Sequence, residues 1–132
     1  MALARADTAA AIRAFEAVPF FAASTDQLLR ILPLSWLYEA TGRQRDAFRL
    51  LNTQSPSASD SPLGVTVVVD RLRLARLADR LGERETAARA YALVVDAWRD
   101  ADPVYRPLYT EAINGLRRTA GDAAAAKLVP NR

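Results

Sequence analysis

Residues 77–102 read LADRLGERETAARAYALVVDAWRDAD, and this stretch indicates the fold class more clearly than any other part of the chain. Its apolar residues recur three and four positions apart, from Ala87 through Tyr91 to Trp98, which is the period of one helix face. Gly82 stands just before this run, where a glycine commonly ends the preceding helix. The stretch therefore predicts two helices joined by a sharp reversal at Gly82.

A second copy of this arrangement lies 40 residues earlier in the chain. In both copies a small residue is followed by glycine seven positions on, alanine five further on and a large apolar residue four further on. The earlier copy consists of Ser35, Gly42, Ala47 and Leu51, and the later copy of Ala75, Gly82, Ala87 and Tyr91. An antiparallel helix pair needs small residues where its helices approach, glycine where the chain reverses, and a large side chain between neighbouring pairs.

Helical spacing covers most of the remaining chain and predicts about six helices joined by short turns. The first helix is expected to begin near Asp7 and to end before Pro19. The second is expected to begin at Ser24 or Thr25, where a hydroxyl can cap the helix. Pro33 predicts either a kink in this helix or a later start, because proline cannot donate a helix hydrogen bond.

Residues 65–69 read VTVVV and have strand propensity. We predict a helix there because apolar residues continue at helical spacing through Leu72 and Ala75, and no other segment could serve as a partner strand. The next helices are expected from about Glu83 to Asp100 and from residue 103 to near Gly121. The alanine run at 123–126 is compatible with a last short helix.

The length of 132 residues fits one domain, since single domains usually run roughly 100–200 residues. Within it, residues 6–51 hold the first repeats and residues 52–61, NTQSPSASDS, form the one clear loop. Residues 62–101 hold the best-matching repeat, and residues 102–121 form a closing helix.

The repeated spacing resembles the tetratricopeptide repeat, most closely at Leu74, Ala75, Gly82, Ala87 and Tyr91. Residues 77–102 look like the closing repeat of bacterial tetratricopeptide proteins, which often carry such repeats beside regulatory or kinase domains. The resemblance implies an all-α fold of antiparallel helix pairs stacked as a short α-solenoid. It also implies a non-enzymatic protein-interaction module in a larger regulatory protein.

The chain departs from the family pattern in three respects. Ile31 and Arg71 stand where the family has an aromatic residue early in the first helix. The offset of 40 residues exceeds the family period of 34, and the loop at 52–61 accounts for the excess. The helix-ending proline is displaced to Pro103. A plain helical bundle is therefore the alternative interpretation of the fold.

The resemblance also implies a binding groove on the concave face of the helix pairs. The groove residues of the two pairs are Leu29, Leu32, Trp36 and Glu39, followed by Val69, Leu72, Arg76, Asp79 and Arg80. Such a groove would suit a peptide or partner helix that carries an apolar anchor and a carboxylate. Trp98 is expected in the core, because aromatic residues at helical spacing usually pack inside. Tyr105 and Tyr109 are expected to cover the end of the stack.

The sequence contains no histidine and no cysteine. Disulfides, thiolate metal sites and cysteine nucleophiles are therefore excluded, and the usual general base near neutral pH is missing. Two carboxylate pairs, Glu83 with Glu85 and Asp100 with Asp102, fit helix starts, where they complement the helix dipole. We expect no catalytic residues, no metal site and no cofactor.

The net charge is +3, and seventeen arginines accompany the single lysine, Lys127. The fifteen acidic residues are interspersed with the arginines, which favours a solvated surface over a basic patch. The alternative function is a nucleic-acid-binding helical domain. Its arginines would be Arg73, Arg76, Arg80, Arg84, Arg117 and Arg118.

Residues 6–18 resemble the second helix of a repeat whose first helix is missing. Ile12 and Phe15 would then lack part of their cover, and Phe20 and Phe21 would widen the apolar patch. We expect self-association, or docking of an apolar partner, through this N-terminal end. The rival interpretation is that the two phenylalanines close the first pair. No stretch reaches the roughly 20 apolar residues that cross a bilayer, so the cytoplasm is the default location.

Overall fold

The computed structural model describes residues 2–18, 26–54 and 64–129, most of which are helical, with side chains at 7–18, 30–53 and 67–129. The α-helices in these ranges are α1 (Ala2–Glu16), α2 (Asp26–Ala40), α3 (Gln44–Gln54), α4 (Gly64–Arg80), α5 (Arg84–Ala97), α6 (Arg106–Ala120) and α7 (Asp122–Leu128). A short 3-10 helix, Pro103–Tyr105, precedes α6. The helices group into two compact units, and the single domain stays a prediction. We call these unit 1 (Met1–Ser55, with α1–α3) and unit 2 (Pro56–Arg132, with α4–α7).

The helix over residues 65–69 is confirmed, since these residues lie in α4. Several predicted boundaries are wrong. The first helix begins at Ala2 rather than near Asp7, because its alanine-rich start has high helix propensity. Pro33 lies inside α2, which begins at Asp26, so the later start is wrong and the kink stays a prediction. The Ser35 hydroxyl donates to the Leu32 carbonyl at 2.8 Å near this proline.

Two further boundaries differ, and the count of α-helices in the described residues is seven rather than about six. Helix α3 extends to Gln54, inside the predicted loop, and α5 ends at Ala97, before the predicted Asp100. Helix α7 contains the alanine run at 123–126, which is therefore helical. The remainder of the predicted loop and the predicted helix start at Ser24 or Thr25 lie outside the described residues.

The reversals at Gly42 and Gly82 have the same hydrogen-bond pattern. The Gly42 N–H donates to the Glu39 carbonyl at 3.1 Å and the Arg43 N–H to the Tyr38 carbonyl at 2.7 Å. At the later reversal, Gly82 donates to Asp79 at 3.2 Å and Glu83 donates to Ala78 at 2.8 Å. These paired bonds form the Schellman motif, and its glycine has positive φ, +79° at Gly42 and +77° at Gly82. The reversals predicted from the 40-residue repeat are confirmed.

The small, alanine and large positions of the repeat lie in the cores of their units. Ser35, Ala47 and Leu51 are fully buried in unit 1. Ala75 and Ala87 are fully buried in unit 2, and Tyr91 is 2% exposed. Within unit 1, α2 packs against α3 and α1, and within unit 2, α5 packs between α4 and α6. The repeat therefore corresponds to packed antiparallel helix pairs.

Trp98 directly follows α5, and Tyr105 is the last residue of the 3-10 helix. Trp98 is 6% exposed, which confirms its place in the core. The Tyr105 ring stacks on it, with ring centroids 5.3 Å apart and an interplanar angle of 22°. Offset stacking of this kind stabilises aromatic pairs beyond the area that they bury.

Helix α1 is covered by α2, contrary to the expectation for Ile12. Ile12 is 6% exposed and Phe15 is half-buried. The Tyr38 hydroxyl donates to Glu16 Oε1 at 2.7 Å, and Arg30 Nε donates to the Phe15 carbonyl at 2.9 Å. The expectation that Ile12 lacks cover is therefore wrong. Phe20 and Phe21 lie outside the described residues, and self-association through this end stays a prediction.

Candidate functional site

The first half of the predicted groove lies on one face of α2. Leu32, Trp36 and Glu39 are spaced four and three positions apart, so their side chains lie along the same helix face. Trp36 is 59% exposed, and the other two are half-buried. We call these three residues the Trp36 face. Leu29 belongs to the same helix, but its side chain is outside the described part of the chain.

The second half of the predicted groove lies on α4, in unit 2, and one of its residues is misplaced. Leu72 is 1% exposed and belongs, with Val68 and Ala75, to the buried side of α4. It is therefore wrong as a groove residue. Val69 is 38% exposed and Arg80 is exposed, so both lie at the surface.

Arg76 and Asp79, the remaining groove residues of α4, bind side chains of α6. Arg76 Nε donates to Glu111 Oε1 at 2.6 Å, and Arg76 Nη2 donates to Glu111 Oε2 at 2.7 Å. One turn further along α4, Asp79 accepts a hydrogen bond from Arg118 Nη2. We call these two ion pairs the α4–α6 bridge. Arg76 and Asp79 therefore pair with oppositely charged side chains of α6. The sequence predicts instead that they face a ligand groove.

The pKa values of Glu111 and Tyr91 are shifted at the α4–α6 bridge. The hydrogen bond from Arg76 lowers the pKa of Glu111. Burial raises the pKa of Tyr91, whose hydroxyl lies 3.5 Å from Asp79 Oδ2, and the Asp79 charge adds to this effect. Neither pKa shifts toward neutral pH, as that of a general acid or base would. Glu111 stays ionised and Tyr91 stays neutral at pH 7.

Other arginines of the nucleic-acid alternative also have partners within unit 2. Arg73 lies 3.4 Å from Asp70. Arg84 Nη2 donates to the carbonyl oxygens of residues 118 and 119, at 3.2 and 3.4 Å. These contacts reduce the positive charge that the arginines could offer to a phosphate backbone.

Asp70 and Arg73 form a largely buried ion pair that the sequence analysis did not single out. Their side chains are 9% and 12% exposed. Burial raises the pKa of Asp70, and the neighbouring guanidinium of Arg73 opposes this change. An aspartate three residues before an arginine on a helix predicts an ion pair. Nothing in the sequence indicates that this pair is buried.

Replacing Glu111 with glutamine is expected to lower the free energy of unfolding by about 1 kcal/mol or less at neutral pH, because both side chains of the pair are roughly 40% exposed. The folded state lowers the pKa of Glu111, so this contribution is present above the usual glutamate value of 4.5 and is lost as the pH falls through the folded-state pKa. Urea unfolding across the acid range measures it.

The matched control is Glu85→Gln, because Glu85 pairs with Arg89 at 3.3 Å and its side chain is 84% exposed. We expect a smaller loss there, below about 0.5 kcal/mol. The free energies of unfolding of Glu111→Gln and the wild type should differ at neutral pH and converge near pH 3. An equal difference at both pH values would contradict a stabilising ion pair between Arg76 and Glu111.

No family model, curated protein or solved structure matches the chain. Among the described residues, no three acidic side chains are grouped so that they could hold a metal ion. None of the helices in the described ranges is both long enough and apolar enough to cross a membrane.

Proposed function

We propose that the chain is a non-enzymatic, tetratricopeptide-like interaction module that binds a peptide or partner helix through the Trp36 face. In this proposal the module acts in the cytoplasm as part of a larger regulatory protein. The partner supplies an apolar anchor, which packs on the indole of Trp36 beside Leu32.

The exposure of Trp36 is the observation that carries this proposal. An indole ring has a large apolar area, and leaving 59% of the residue in water forgoes most of the stabilisation that its burial would give. Tryptophan is also enriched among the residues that dominate binding energy at protein interfaces. Trp98 provides the contrast within the same chain, because it is 6% exposed and packs on Tyr105.

The repeat supports the tetratricopeptide-like part of the proposal. The reversals at Gly42 and Gly82 share one hydrogen-bond pattern, and the equivalent alanines, Ala47 and Ala87, are fully buried. Repeated helix pairs commonly present one face of their first helices to extended or helical ligands. The Trp36 face belongs to α2, the first helix of the earlier pair.

The interaction module is favoured over a nucleic-acid-binding domain. Arg76 and Arg118, two of the arginines that the alternative requires, form the α4–α6 bridge with Glu111 and Asp79. A phosphate backbone would have to replace these carboxylates. A steep fall of DNA or RNA affinity with rising salt would favour the alternative.

A displayed library of random 16-residue peptides tests the proposal. We expect peptides enriched on the intact chain to carry a large apolar residue and to bind at least tenfold more weakly to Trp36→Ala, a loss of about 1.4 kcal/mol. Val104→Ala is the matched control, because Val104 is 75% exposed and lies in unit 2. Its affinity should equal that of the wild type.

Fluorescence anisotropy of a labelled selected peptide gives the affinities, and circular dichroism shows whether each variant keeps its helices. The proposal fails if the library yields no enriched peptide, or if the enriched peptides bind Trp36→Ala as tightly as the wild type.

A further inference from the structure

Unit 2 contains a pocket that the Trp36 face does not share. It lies between α5, α6 and α7 and has a volume of about 580 Å³. Its apolar lining includes Val95, Ile113, Leu116 and Val129. This volume falls within the range of roughly 300–1,000 Å³ that small-molecule sites occupy. The pocket is therefore large enough for a ligand rather than for a single water molecule.

The pocket exists because α7 is short and its side chains are small. Helix α7 has 7 residues, whereas α3 and α5, the second helices of the two repeat pairs, have 11 and 14. Ala125 and Ala126 are apolar residues of α7 that line the pocket, and a methyl group fills little of the space beside α6. Ile113 on α6 consequently remains half-buried.

Arg117 is the group of the lining that could hold an anion. Arg99 lies 3.6 Å from Asp96, so its charge is already paired, and Arg117 and Asp122 are the other charged residues of the lining. Arg117 Nε lies 3.7 Å from Asp122 Oδ1, which is too long for a hydrogen bond, and the Arg117 side chain is 62% exposed. Its planar guanidinium can therefore bind a second carboxylate through two parallel hydrogen bonds.

We propose that this pocket binds a small amphiphilic carboxylate, with the carboxylate on Arg117 and the apolar body against Val95, Ile113 and Leu116. The site lies within unit 2 and shares no residue with the Trp36 face, so it is a second binding function beyond the proposed interaction module. Neither half of the ligand suffices alone. The apolar body provides the buried area, and the carboxylate fixes its orientation.

Titration of the intact chain with octanoate, below the concentration at which it forms micelles, tests the site. We expect saturable binding with a dissociation constant of about 1 mM or tighter, and at least tenfold weaker binding of 1-octanol, which lacks the charge. Amide signals of Val95, Ile113 and Ala126 in the two-dimensional NMR spectrum should shift. Absence of saturable octanoate binding would overturn the proposal.

Two pairs of variants locate the ligand. Arg117→Gln should weaken octanoate binding at least tenfold, whereas Arg106→Gln, an exposed arginine of α6 outside the pocket, should not change it. Ala126→Phe should fill the pocket and abolish binding, whereas Ala124→Phe, exposed on the same helix and outside the lining, should leave binding intact.

Circular dichroism checks that each variant keeps its helices, and the control pairs keep the test decisive if one variant fails to fold. Wild-type octanoate affinity in folded Arg117→Gln or in folded Ala126→Phe would overturn the proposal. Because the Trp36 peptide assay uses a different unit, either proposal can fail while the other stands.

Discussion

Replacing Tyr91 with alanine is expected to destabilise unit 2 by about 3–5 kcal/mol, as for other large buried aromatic side chains. Tyr91 is 2% exposed, and its ring lies directly over Gly115 of α6. Removing the ring would leave a cavity between α5 and α6 that the helix backbones cannot close. Urea unfolding measures the loss, with Trp98 fluorescence as the readout. A Trp36→Phe background removes the other tryptophan, so the signal reports unit 2.

Tyr91→Phe is the matched control, because it keeps the ring and removes only the hydroxyl. That hydroxyl lies 3.5 Å from Asp79 Oδ2, a long contact, so we expect a loss below about 1 kcal/mol. A loss of similar size for the alanine and phenylalanine variants would show that the hydroxyl rather than the ring holds the helices together. It would contradict the packing described here.

Gly115→Ala is expected to destabilise the wild type by about 1–3 kcal/mol through overpacking. A Cβ at this position would lie 2.6 Å from Tyr91 Cε2 and 2.7 Å from Cε1, closer than side-chain carbons approach each other. The ring is buried and cannot swing into solvent. This collision has to outweigh the roughly 1 kcal/mol by which alanine is favoured over glycine inside a helix.

The sign of the Gly115→Ala effect should reverse when the ring is absent. In a Tyr91→Ala background the new methyl group partly fills the cavity and helix propensity favours alanine, so Gly115→Ala should stabilise unit 2. Asn114→Ala, an exposed neighbour on α6, should have a small effect of the same sign in both backgrounds. Stabilisation of the wild type by Gly115→Ala would contradict the close approach of α5 and α6.

Local features of the fold could be predicted from the sequence because they depend on residues near each other in the chain. Gly42 and Gly82 mark their reversals, since a residue with positive φ at a helix end is most often glycine. Ala47 and Ala87 mark the helix crossings through their position after each glycine. Helical spacing through Leu72 and Ala75 was enough to override the strand propensity of residues 65–69.

Contacts between distant helices could not be predicted. The Arg76–Glu111 pair joins residues 35 positions apart, and the approach of Tyr91 to Gly115 depends on how α5 packs on α6. Periodicity indicates which face of a helix is apolar but not which helix covers it. Leu32 and Leu72 occupy equivalent repeat positions, yet only Leu72 is fully buried, although α2 and α4 each pack against two other helices.

The two tryptophan indole groups offer the most direct test of the claim that the chain binds partners through the Trp36 face. In a ¹⁵N-labelled chain, each indole N–H gives a separate NMR signal, and a Trp98→Phe variant assigns them. On addition of a peptide selected from the random library, the signal of Trp36 should shift, while that of Trp98, buried against Tyr105, should stay in place. A bound peptide that leaves the Trp36 signal unchanged would contradict the account.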